Sequence, residues 1–275
     1  MNKQVVVITG CSSGIGYLTA LTFARNGWAT YATMRNVQST GGIKLLEITQ
    51  KEGIDLNILA LDVTNQQSVK AAVSMVLTRC HKIDVLVNNA GFGYKAPIEQ
   101  LTIENFNEQY ETNVFGALRT IQAVLPSMKA SKSGKIINIS SILGLISVPL
   151  FGVYSSSKHA LESITEVLSY ELDKYNIRLS IVEPGTFETE FGKNVKGRAH
   201  KTEENKSVHN SMARLMRLKI NRPKNAQIVA DKIYGIAINP NPNLHYLVGT
   251  DAIILNLLYR LTSHKFRKFI FRLIK

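Results

Sequence analysis

A short apolar segment followed at once by closely spaced glycines constrains the fold of this 275-residue chain more than any other feature. Residues 4–9 (QVVVIT) form an apolar, β-branched run that is long enough for one buried parallel strand. The turn GCSSGIG at 10–16 follows, and the next residues, YLTALTFARNG, are typical of a helix that ends at Asn26-Gly27. This order predicts a phosphate-binding element, because glycines let the backbone approach a pyrophosphate and a helix N-terminus offers free N–H groups. The spacing differs from the G-x-G-x-x-G fingerprint, and a glycine turn can also be only a turn.

The rest of the chain continues to alternate short apolar strands with amphipathic helices. One helix is predicted from a capping-box pattern at Thr64 to Arg79, and another from about Ile103 to Ala130. Further strands are predicted at 29–33, 57–61, 85–88, 135–140, 178–183 and 245–248. The pattern predicts an α/β fold, a Rossmann-type doubly wound parallel sheet of about seven strands with helices on both faces. Ligands of such sheets bind outside the carboxyl ends of the strands, where Ser12, Asp62, Asn89, Ser141 and Pro184 are expected.

Tyr154 and Lys158 are four residues apart in the predicted helix YSSSKHALESITEVLSYEL, and Ser141 precedes the tyrosine by thirteen residues. Positions i and i+4 lie on one helix face, so the phenol and the ammonium point into the same space. A nearby cation favours the phenolate and is expected to lower the tyrosine pKa from its usual value of about 10. Tyr-x-x-x-Lys alone is a weak pattern, but with a serine hydroxyl nearby it predicts proton transfer to a carbonyl or from an alcohol.

Composition is typical of one large domain in a reducing compartment. With 45% hydrophobic residues, the chain can form a full core as a single domain over residues 1–275. Cys11 and Cys80 are too few for a disulfide framework, and the N-terminus leads directly into the first strand, so a cytoplasmic location is expected. Asn138 and Pro149 interrupt the apolar stretch near residues 136–153, which is therefore not expected to span a membrane. No metal site is predicted.

The net charge of +13 comes entirely from the C-terminal 85 residues, which contain 17 Lys and Arg against 4 Asp and Glu. Residues 191–224 are predicted to form a substrate lid, with Met212, Leu215, Met216 and Ile220 on its apolar underside. Residues 251–275 follow helical spacing and carry six cations without an acid after Asp251. Such a basic amphipathic tail is typical of a peripheral membrane element, but it can equally pack on its own domain or on a partner subunit. Nucleic-acid binding is not expected, because no recognition motif accompanies the charge.

Five motifs, in order and at family spacing over residues 4 to about 190, resemble those of the short-chain dehydrogenase/reductase family. They are Thr9-Gly10…Gly14-Ile15-Gly16, Asn88-Asn89-Ala90-Gly91, Ser141, Tyr154…Lys158 and Pro184-Gly185…Thr189. The segment YATMRN and the residues around Tyr154 are also similar, more loosely, to the hydroxysteroid and retinol dehydrogenase branch.

The resemblance implies a role for each matching residue. Tyr154 would donate and accept the proton, Lys158 would lower the tyrosine pKa and bind the nicotinamide ribose, and Ser141 would hold the substrate oxygen. Asn113 would anchor a proton-relay water, although a polar residue there can also simply bend a helix. The other expected cofactor contacts are Gly10, Ser12, Ser13, Gly14, Ile15, Gly16, Arg35, Asp62, Val63, Asn89, Ala90, Gly91, Pro184, Gly185 and Thr189.

The end of the second strand favours NADP(H) over NAD(H). An NAD site offers a carboxylate there for the ribose 2′-OH, and this chain has no acid between Gly27 and Leu46. Arg35 instead supplies a guanidinium that suits a 2′-phosphate, with Ser13 as an additional hydroxyl. The alternative is that Arg35 is only a solvated loop charge.

The expected substrate is a small apolar ketone or aldehyde, or the corresponding alcohol. Apolar side chains predominate near the predicted cleft, namely Ile142, Leu143, Leu145, Val148, Leu150, Phe151, Phe187 and Phe191. The alternative functions are a nucleotide-sensing protein that has lost catalysis and a membrane-associated scaffold of the same fold. The family resemblance also implies a homo-oligomer.

Overall fold

Nine strands occur in the described part of the chain, and seven of them form one parallel sheet. The computed structural model describes residues 3–197, 206–216 and 224–273. The strands are β1 (Val5–Ile8), β2 (Ala29–Met34), β3 (Leu56–Ala60), β4 (Val85–Asn88), β5 (Gly134–Ile139), β6 (Ile177–Pro184), β7 (Phe187–Glu188), β8 (Lys224–Asn225) and β9 (His245–Val248). The large sheet has the order β3-β2-β1-β4-β5-β6-β9, and the two-residue strands β7 and β8 pair separately.

Helices connect the strands and cover both faces of the sheet. They are α1 (Gly14–Arg25), α2 (Thr40–Glu52), α3 (Gln66–Cys80), α4 (Ile103–Tyr110), α5 (Gly116–Ser131), α6 (Gly152–Leu172), α7 (Lys206–Met216), α8 (Gln227–Ile238), α9 (Thr250–Leu261) and α10 (His264–Leu273). One turn of π-helix, Glu111–Phe115, joins α4 to α5. The predicted Rossmann-type doubly wound fold is confirmed.

Alternating residues of the strands supply two core layers, one on each face of the sheet. In β1, Val6 and Ile8 pack with α1, α2 and α8, whereas Val5 and Val7 pack with α3 and α5. All four are almost completely buried, which explains why the strand is continuously apolar rather than alternating with polar residues. The order of the strands reverses between β1 and β4, and this places a crevice at their carboxyl ends.

The predicted boundaries agree with the structure to within one or two residues, except that α1 begins at Gly14, inside the predicted turn, and that the start of α3 needs a local correction. Thr64 does not cap this helix. Asn65 is the cap, and its side-chain oxygen accepts a hydrogen bond from Ser68 N at 2.9 Å. The hydroxyl of Thr64 instead donates to Asp62 Oδ1 at 2.8 Å, because the loop turns back towards the end of β3 before the helix begins.

The C-terminal region differs from the prediction of one continuous amphipathic tail. Residues 251–273 form two helices, α9 and α10, which are separated at Thr262-Ser263. In the predicted lid, α7 buries Met212, whereas the side chains of Leu215 and Met216, and the whole of Ile220, lie outside the described residues. Among the helices that the structure describes, none is both long and apolar enough to cross a bilayer.

A buried polar ladder connects the two central strands to the helices on one face. Asn88 in β4 donates to Asn138 in β5 at 2.9 Å, and Asn138 donates to Thr165 in α6 at 2.8 Å. Thr120 in α5 donates to Asn88 Oδ1 at 2.6 Å. Because all four side chains are buried, the two asparagines depend on these partners for their hydrogen bonds, and the ladder fixes α6 against the sheet.

Removing the centre of this ladder should destabilise the protein. Asn138→Ala deletes two hydrogen bonds and leaves the buried Asn88 amide with only a long contact to Ala117 O at 3.5 Å, so the free energy of unfolding should fall by about 2–4 kcal/mol. Urea denaturation followed by circular dichroism measures the change. The control Asn107→Ala, at an exposed site on α4, should alter stability by less than about 0.5 kcal/mol. Equal stabilities for the two variants would contradict the role of the ladder.

Candidate active site

A cavity of about 1090 Å³ opens at the carboxyl ends of the central strands. Its wall contains three of the four predicted catalytic residues and all the predicted cofactor-binding residues except Gly16. These wall residues are Gly10, Ser12, Ser13, Gly14, Ile15, Arg35, Asp62, Val63, Asn89, Ala90, Gly91, Ser141, Tyr154, Lys158, Pro184, Gly185 and Thr189. Gly16 and Asn113 lie behind the wall and support it.

The glycine turn after β1 is shaped by close backbone contacts. Gly10 and Gly14 have φ values of +71° and +59°, in the left-handed region that glycine occupies without strain. A methyl group on Gly10 would lie 2.7 Å from Ala90 Cα, and one on Gly16 would lie 2.3 Å from Asn89 Nδ2. Helix α1 begins at Gly14, so its unpaired N–H groups lie at the edge of the cavity. This cradle fits the pyrophosphate of a dinucleotide.

Asn89 has a structural role that supports the glycine turn from β4. Its side-chain amide donates to Thr9 O at 2.9 Å and to Gly10 O at 3.0 Å. The Thr9 hydroxyl in turn accepts hydrogen bonds from the backbone N–H groups of Asn89 and Ala90, both at 3.0 Å. These four bonds fix the turn to the end of β4 and hold the floor of the crevice in place.

The end of β2 presents a cation to the cavity. Arg35 is exposed in the wall there. The start of α2 packs directly on the glycine turn, since a methyl group on Gly41 would lie 1.8 Å from Ser12 O. Asp62, at the end of β3, holds its own loop by accepting hydrogen bonds from the N–H and the hydroxyl of Thr64.

Ser141, Tyr154 and Lys158 meet in the cavity because the end of β5 faces the first two turns of α6. Tyr154 and Lys158 are only 7% and 5% exposed. The Ser141 hydroxyl accepts a hydrogen bond from Leu143 N at 3.1 Å, which orients it as the cap of a short 3₁₀ turn. Lys158 Nζ donates to Ile139 O at 2.7 Å and lies 5.8 Å from the centre of the Tyr154 ring.

The expected lowering of the tyrosine pKa is not seen in this arrangement. Burial raises the pKa of Tyr154 to about 12, and the hydrogen bond with Ser141 opposes this only in part. Burial also lowers the pKa of Lys158 to about 8, and the charge of Glu162 opposes that shift. Because low dielectric surroundings disfavour both charged forms, the phenol keeps its proton near neutral pH.

Asn113 lies in the π-helical turn between α4 and α5, so the alternative of a helix-distorting polar residue has support. Its side chain exchanges hydrogen bonds with the backbone of Phe92, at 3.1 and 3.0 Å, and donates to Ser157 at 3.2 Å. These bonds connect the loop after β4 to α6 behind Lys158. A part in proton relay stays a prediction.

The end of the cavity near Tyr154 is apolar. The rings of Phe191 and Phe151 lie 5.4 and 6.4 Å from the Tyr154 ring, between centroids. Met212 of α7 is buried in the same cluster, and a lid role for residues 191–224 stays a prediction. Of the predicted substrate-side residues, six line the cavity and two do not: Leu145 and Leu150 pack behind it.

The sequence reasoning missed a buried acidic pair next to Lys158. Glu162, one turn along α6, and Glu183 in β6 are 8% and 0% exposed, and His245 Nδ1 lies 2.7 Å from Glu183 and 3.6 Å from Glu162. Among the described residues, neither Glu162 oxygen has a well-formed hydrogen bond. Burial raises the pKa of Glu162 to about 7; Ser140 opposes the shift and Glu183 reinforces it. The i, i+4 spacing of Lys158 and Glu162 was the available signal.

Residues 4–199 match the profile of the short chain dehydrogenase family. The chain belongs to this family of oxidoreductases. The agreement covers the glycine turn, the crevice between β1 and β4, and the helix that carries Tyr154 and Lys158.

Full-length and partial relatives agree with this assignment. The chain is 34% identical to a 3-ketodihydrosphingosine reductase of Bacteroides thetaiotaomicron, with 93% of this chain and 91% of that protein covered. It is 40% identical to human retinol dehydrogenase 8 over 68% of this chain and 60% of that protein. The predicted likeness to the retinol and hydroxysteroid dehydrogenase branch is therefore confirmed.

Solved structures show the same fold. A short-chain dehydrogenase from Streptomyces avermitilis superposes with a TM-score of 0.81 at 30% identity, covering 94% of this chain and 93% of the other. Other structures of this fold hold an NADP derivative or NAD. Proteins of this fold therefore include examples with either kind of nicotinamide dinucleotide.

Neutralising Glu162 should change how stability depends on pH. Its pKa rises from 4.5 to about 7, so the folded state holds this proton more tightly than the unfolded state does. The resulting stabilisation is fully present below pH 4.5 and is lost as the pH rises through 7, by roughly 3 kcal/mol. The free energy of unfolding of Glu162→Gln minus that of the parent should therefore be about 2–3 kcal/mol larger at pH 8 than at pH 5, as measured by urea titration.

The matched control is Glu171→Gln, at an exposed site farther along α6. Its stability relative to the parent should be the same at both pH values. If Glu162→Gln behaved in the same way as this control, the carboxyl would have to be ionised without cost in the folded protein.

Proposed function

We propose that this chain is an NADP(H)-dependent oxidoreductase that interconverts an apolar ketone or aldehyde and its alcohol, with Tyr154 as general acid and base. The observation that carries the proposal is one continuous cavity. A glycine cradle lies at one end of it, and Tyr154, Ser141 and Lys158 lie beside an apolar wall at the other. A bound nicotinamide dinucleotide would supply the hydride for the reduction or accept it in the oxidation.

The residues around the reacting oxygen each have a physical task. Tyr154 gives its proton to the carbonyl oxygen, and Ser141 holds the same oxygen by a hydrogen bond. The raised pKa of Tyr154 keeps the phenol protonated at neutral pH, which suits reduction. Lys158, whose pKa is lowered to about 8, can carry a proton or release it in the same range and so can restore the phenol. Asn113 supports the loop beside them.

Some of the predicted cofactor-binding residues would contact the dinucleotide, and others hold the glycine turn in place. The turn Gly10–Gly16 and the start of α1 would hold the pyrophosphate, with Asn89 fixing the turn from behind. Arg35 would bind a 2′-phosphate, with Ser12 and Ser13 nearby in the wall. Asp62 and Val63 would face the adenine, whereas Gly185 and Thr189 would border the nicotinamide.

An apolar substrate fits the wall around Tyr154. Phe151, Phe191 and Met212 surround the phenol, so a sugar or hydroxy acid would leave its hydroxyl groups without partners there. The relatives named for 3-ketodihydrosphingosine and retinol are in keeping with a lipid-like carbonyl or alcohol.

The alternative hypothesis is a nucleotide-sensing protein without catalysis. Such a protein would be expected to lack one or more of the predicted catalytic residues. Ser141, Tyr154 and Lys158 are all present and share one cavity, which supports an active enzyme. A homo-oligomer remains a prediction from the family resemblance.

Removing the phenol hydroxyl should abolish chemistry and spare binding. Tyr154→Phe is expected to lower NADPH-dependent reduction of apolar aldehydes and ketones by about a hundred- to ten-thousandfold, because the proton donor is lost. Calorimetric titration with NADPH should give a dissociation constant close to that of the parent. The control Tyr170→Phe makes the same change at a 71% exposed site on the same helix and should retain full activity. Reduction by Tyr154→Phe at the parent rate would refute the assignment.

Removing the Arg35 guanidinium should affect the phosphorylated cofactor only. Arg35→Ala is expected to weaken NADPH binding by about ten- to a hundredfold, since a charge-assisted contact to the 2′-phosphate is lost, and to leave NADH binding unchanged. Calorimetric titrations of both cofactors measure this without turnover. Lys51→Ala, at the far end of α2, is the control for loss of a surface cation. Parallel losses for NADPH and NADH would show that Arg35 does not select the phosphate.

A further inference from the structure

The two C-terminal helices expose an unusually large apolar surface. Nine large apolar side chains of the described residues 253–273 are each at least 37% exposed: Ile253, Ile254, Leu257, Leu258, Leu261, Phe266, Phe269, Ile270 and Leu273. No residue of α10 is fully buried. Exposed apolar side chains scattered singly are normal, but such a concentration on two successive helices indicates a surface that binds something.

The same two helices are strongly basic. Arg260, Lys265, Arg267, Lys268 and Arg272 lie among these apolar residues. Asp251 is the last acid in the sequence; it is buried, accepts hydrogen bonds from Lys224 at 2.7 Å and Thr186 N at 2.5 Å, and does not neutralise the surface. The partner of this surface must therefore be both apolar and anionic.

The junction between α9 and α10 is held by side-chain contacts. The guanidinium of Arg267 donates to Tyr259 O at 2.7 Å and to Thr262 O, and it stacks on the Tyr259 ring at 3.9 Å from the centroid. Tyr259 itself packs against the cluster that contains Ile142 and Ile146. The two helices thus form a fixed extension of the domain rather than a loose tail.

The inner sides of these helices contact the substrate end of the cavity. Leu255 of α9 lines the cavity, and Phe271 of α10 packs on the cluster of Phe151, Tyr154 and Met212. The exposed apolar surface and the wall around the reactive phenol are therefore opposite sides of the same two helices. A molecule held at the outer surface is one helix thickness, about 10 Å, from that wall.

We propose that the exposed surface of α9 and α10 docks on an anionic lipid bilayer and that the apolar substrate reaches the cavity from there. A second copy of the chain is a poorer occupant, because a symmetric contact would bring the same cations together with no acid to pair them. An anionic bilayer offers both acyl chains for the exposed rings and headgroup charges for the five cations. Docking on the bilayer does not depend on the reaction, whereas entry of the substrate from the bilayer into the cavity rests on the proposed function.

Vesicle sedimentation with the full-length protein tests the docking. The parent should bind vesicles of 30% phosphatidylglycerol in phosphatidylcholine, bind pure phosphatidylcholine much more weakly, and lose binding in 1 M salt. The triple variant Lys265→Gln, Lys268→Gln, Arg272→Gln leaves the junction intact and should bind about a hundredfold more weakly, at about fivefold per cation. The double variant Phe266→Gln, Phe269→Gln should lose binding at every salt concentration.

The matched control removes three exposed cations elsewhere, with Lys44→Gln, Lys51→Gln and Lys70→Gln, and should bind as the parent does. Equal binding by this control and the C-terminal triple variant would overturn the proposal, since only net charge would then matter. So would an absence of binding to anionic vesicles, or light scattering that shows a dimer which the double phenylalanine variant converts to monomers.

Turnover measurements distinguish delivery of the substrate from the bilayer from the reaction itself. For a long-chain aldehyde held in anionic vesicles, the triple variant should have a kcat/KM about tenfold or more below that of the parent. For a short water-soluble aldehyde the two proteins should be equal. Equal rates on the vesicle-borne aldehyde would refute delivery. If neither protein reduces either aldehyde while vesicle binding persists, the proposed function fails and the docking surface stands.

Discussion

The architecture depends on the absence of side chains where the first glycine turn meets the fourth strand. Gly10 and Gly16 bring the backbone after β1 so close to Ala90 and Asn89 that a single methyl group would overlap with either residue. The hydrogen bonds of Asn89 and Thr9 then hold this contact. Because the strand order reverses at this point, the contact defines the floor of the crevice. The glycine turn and the cluster of Ser141, Tyr154 and Lys158 can face each other across one cavity only if that floor is in place.

Burial dominates the electrostatics at the other end of the cavity. The sheet and α6 exclude water from Tyr154 and Lys158, and each is displaced towards its neutral form. Glu162 and Glu183 extend this group of buried ionisable side chains to the surface at His245. The protonation states of Lys158, Glu162 and Glu183 are therefore coupled, and in the proposed reaction the proton supply to the phenol would depend on more than the Tyr-x-x-x-Lys pair.

The fold and most of the cavity wall could be predicted because both follow local rules. Buried parallel strands are continuously apolar, and the residues that follow them must meet at one edge, so Ser12, Asp62 and Ser141 were found from position alone. The buried pair of Glu162 and Glu183 could not, since it depends on which face of α6 meets β6. The expected lowering of the Tyr154 pKa is wrong for a related reason: spacing reveals that an amine is near, but not that the phenol itself is buried.

The C-terminal region shows how one segment can serve two surfaces. A helix that closes an apolar cavity needs apolar residues on its inner side, and Leu255 and Phe271 meet that need. Nothing in the fold requires the outer side to be apolar as well, yet Leu257, Phe266 and Phe269 are exposed there. The first 190 residues are electrically balanced, so the cations that accompany these residues are not a general property of the chain. An outer side that is apolar and basic at once is explained by a partner with both properties, and a bilayer that holds lipid-like carbonyls is such a partner.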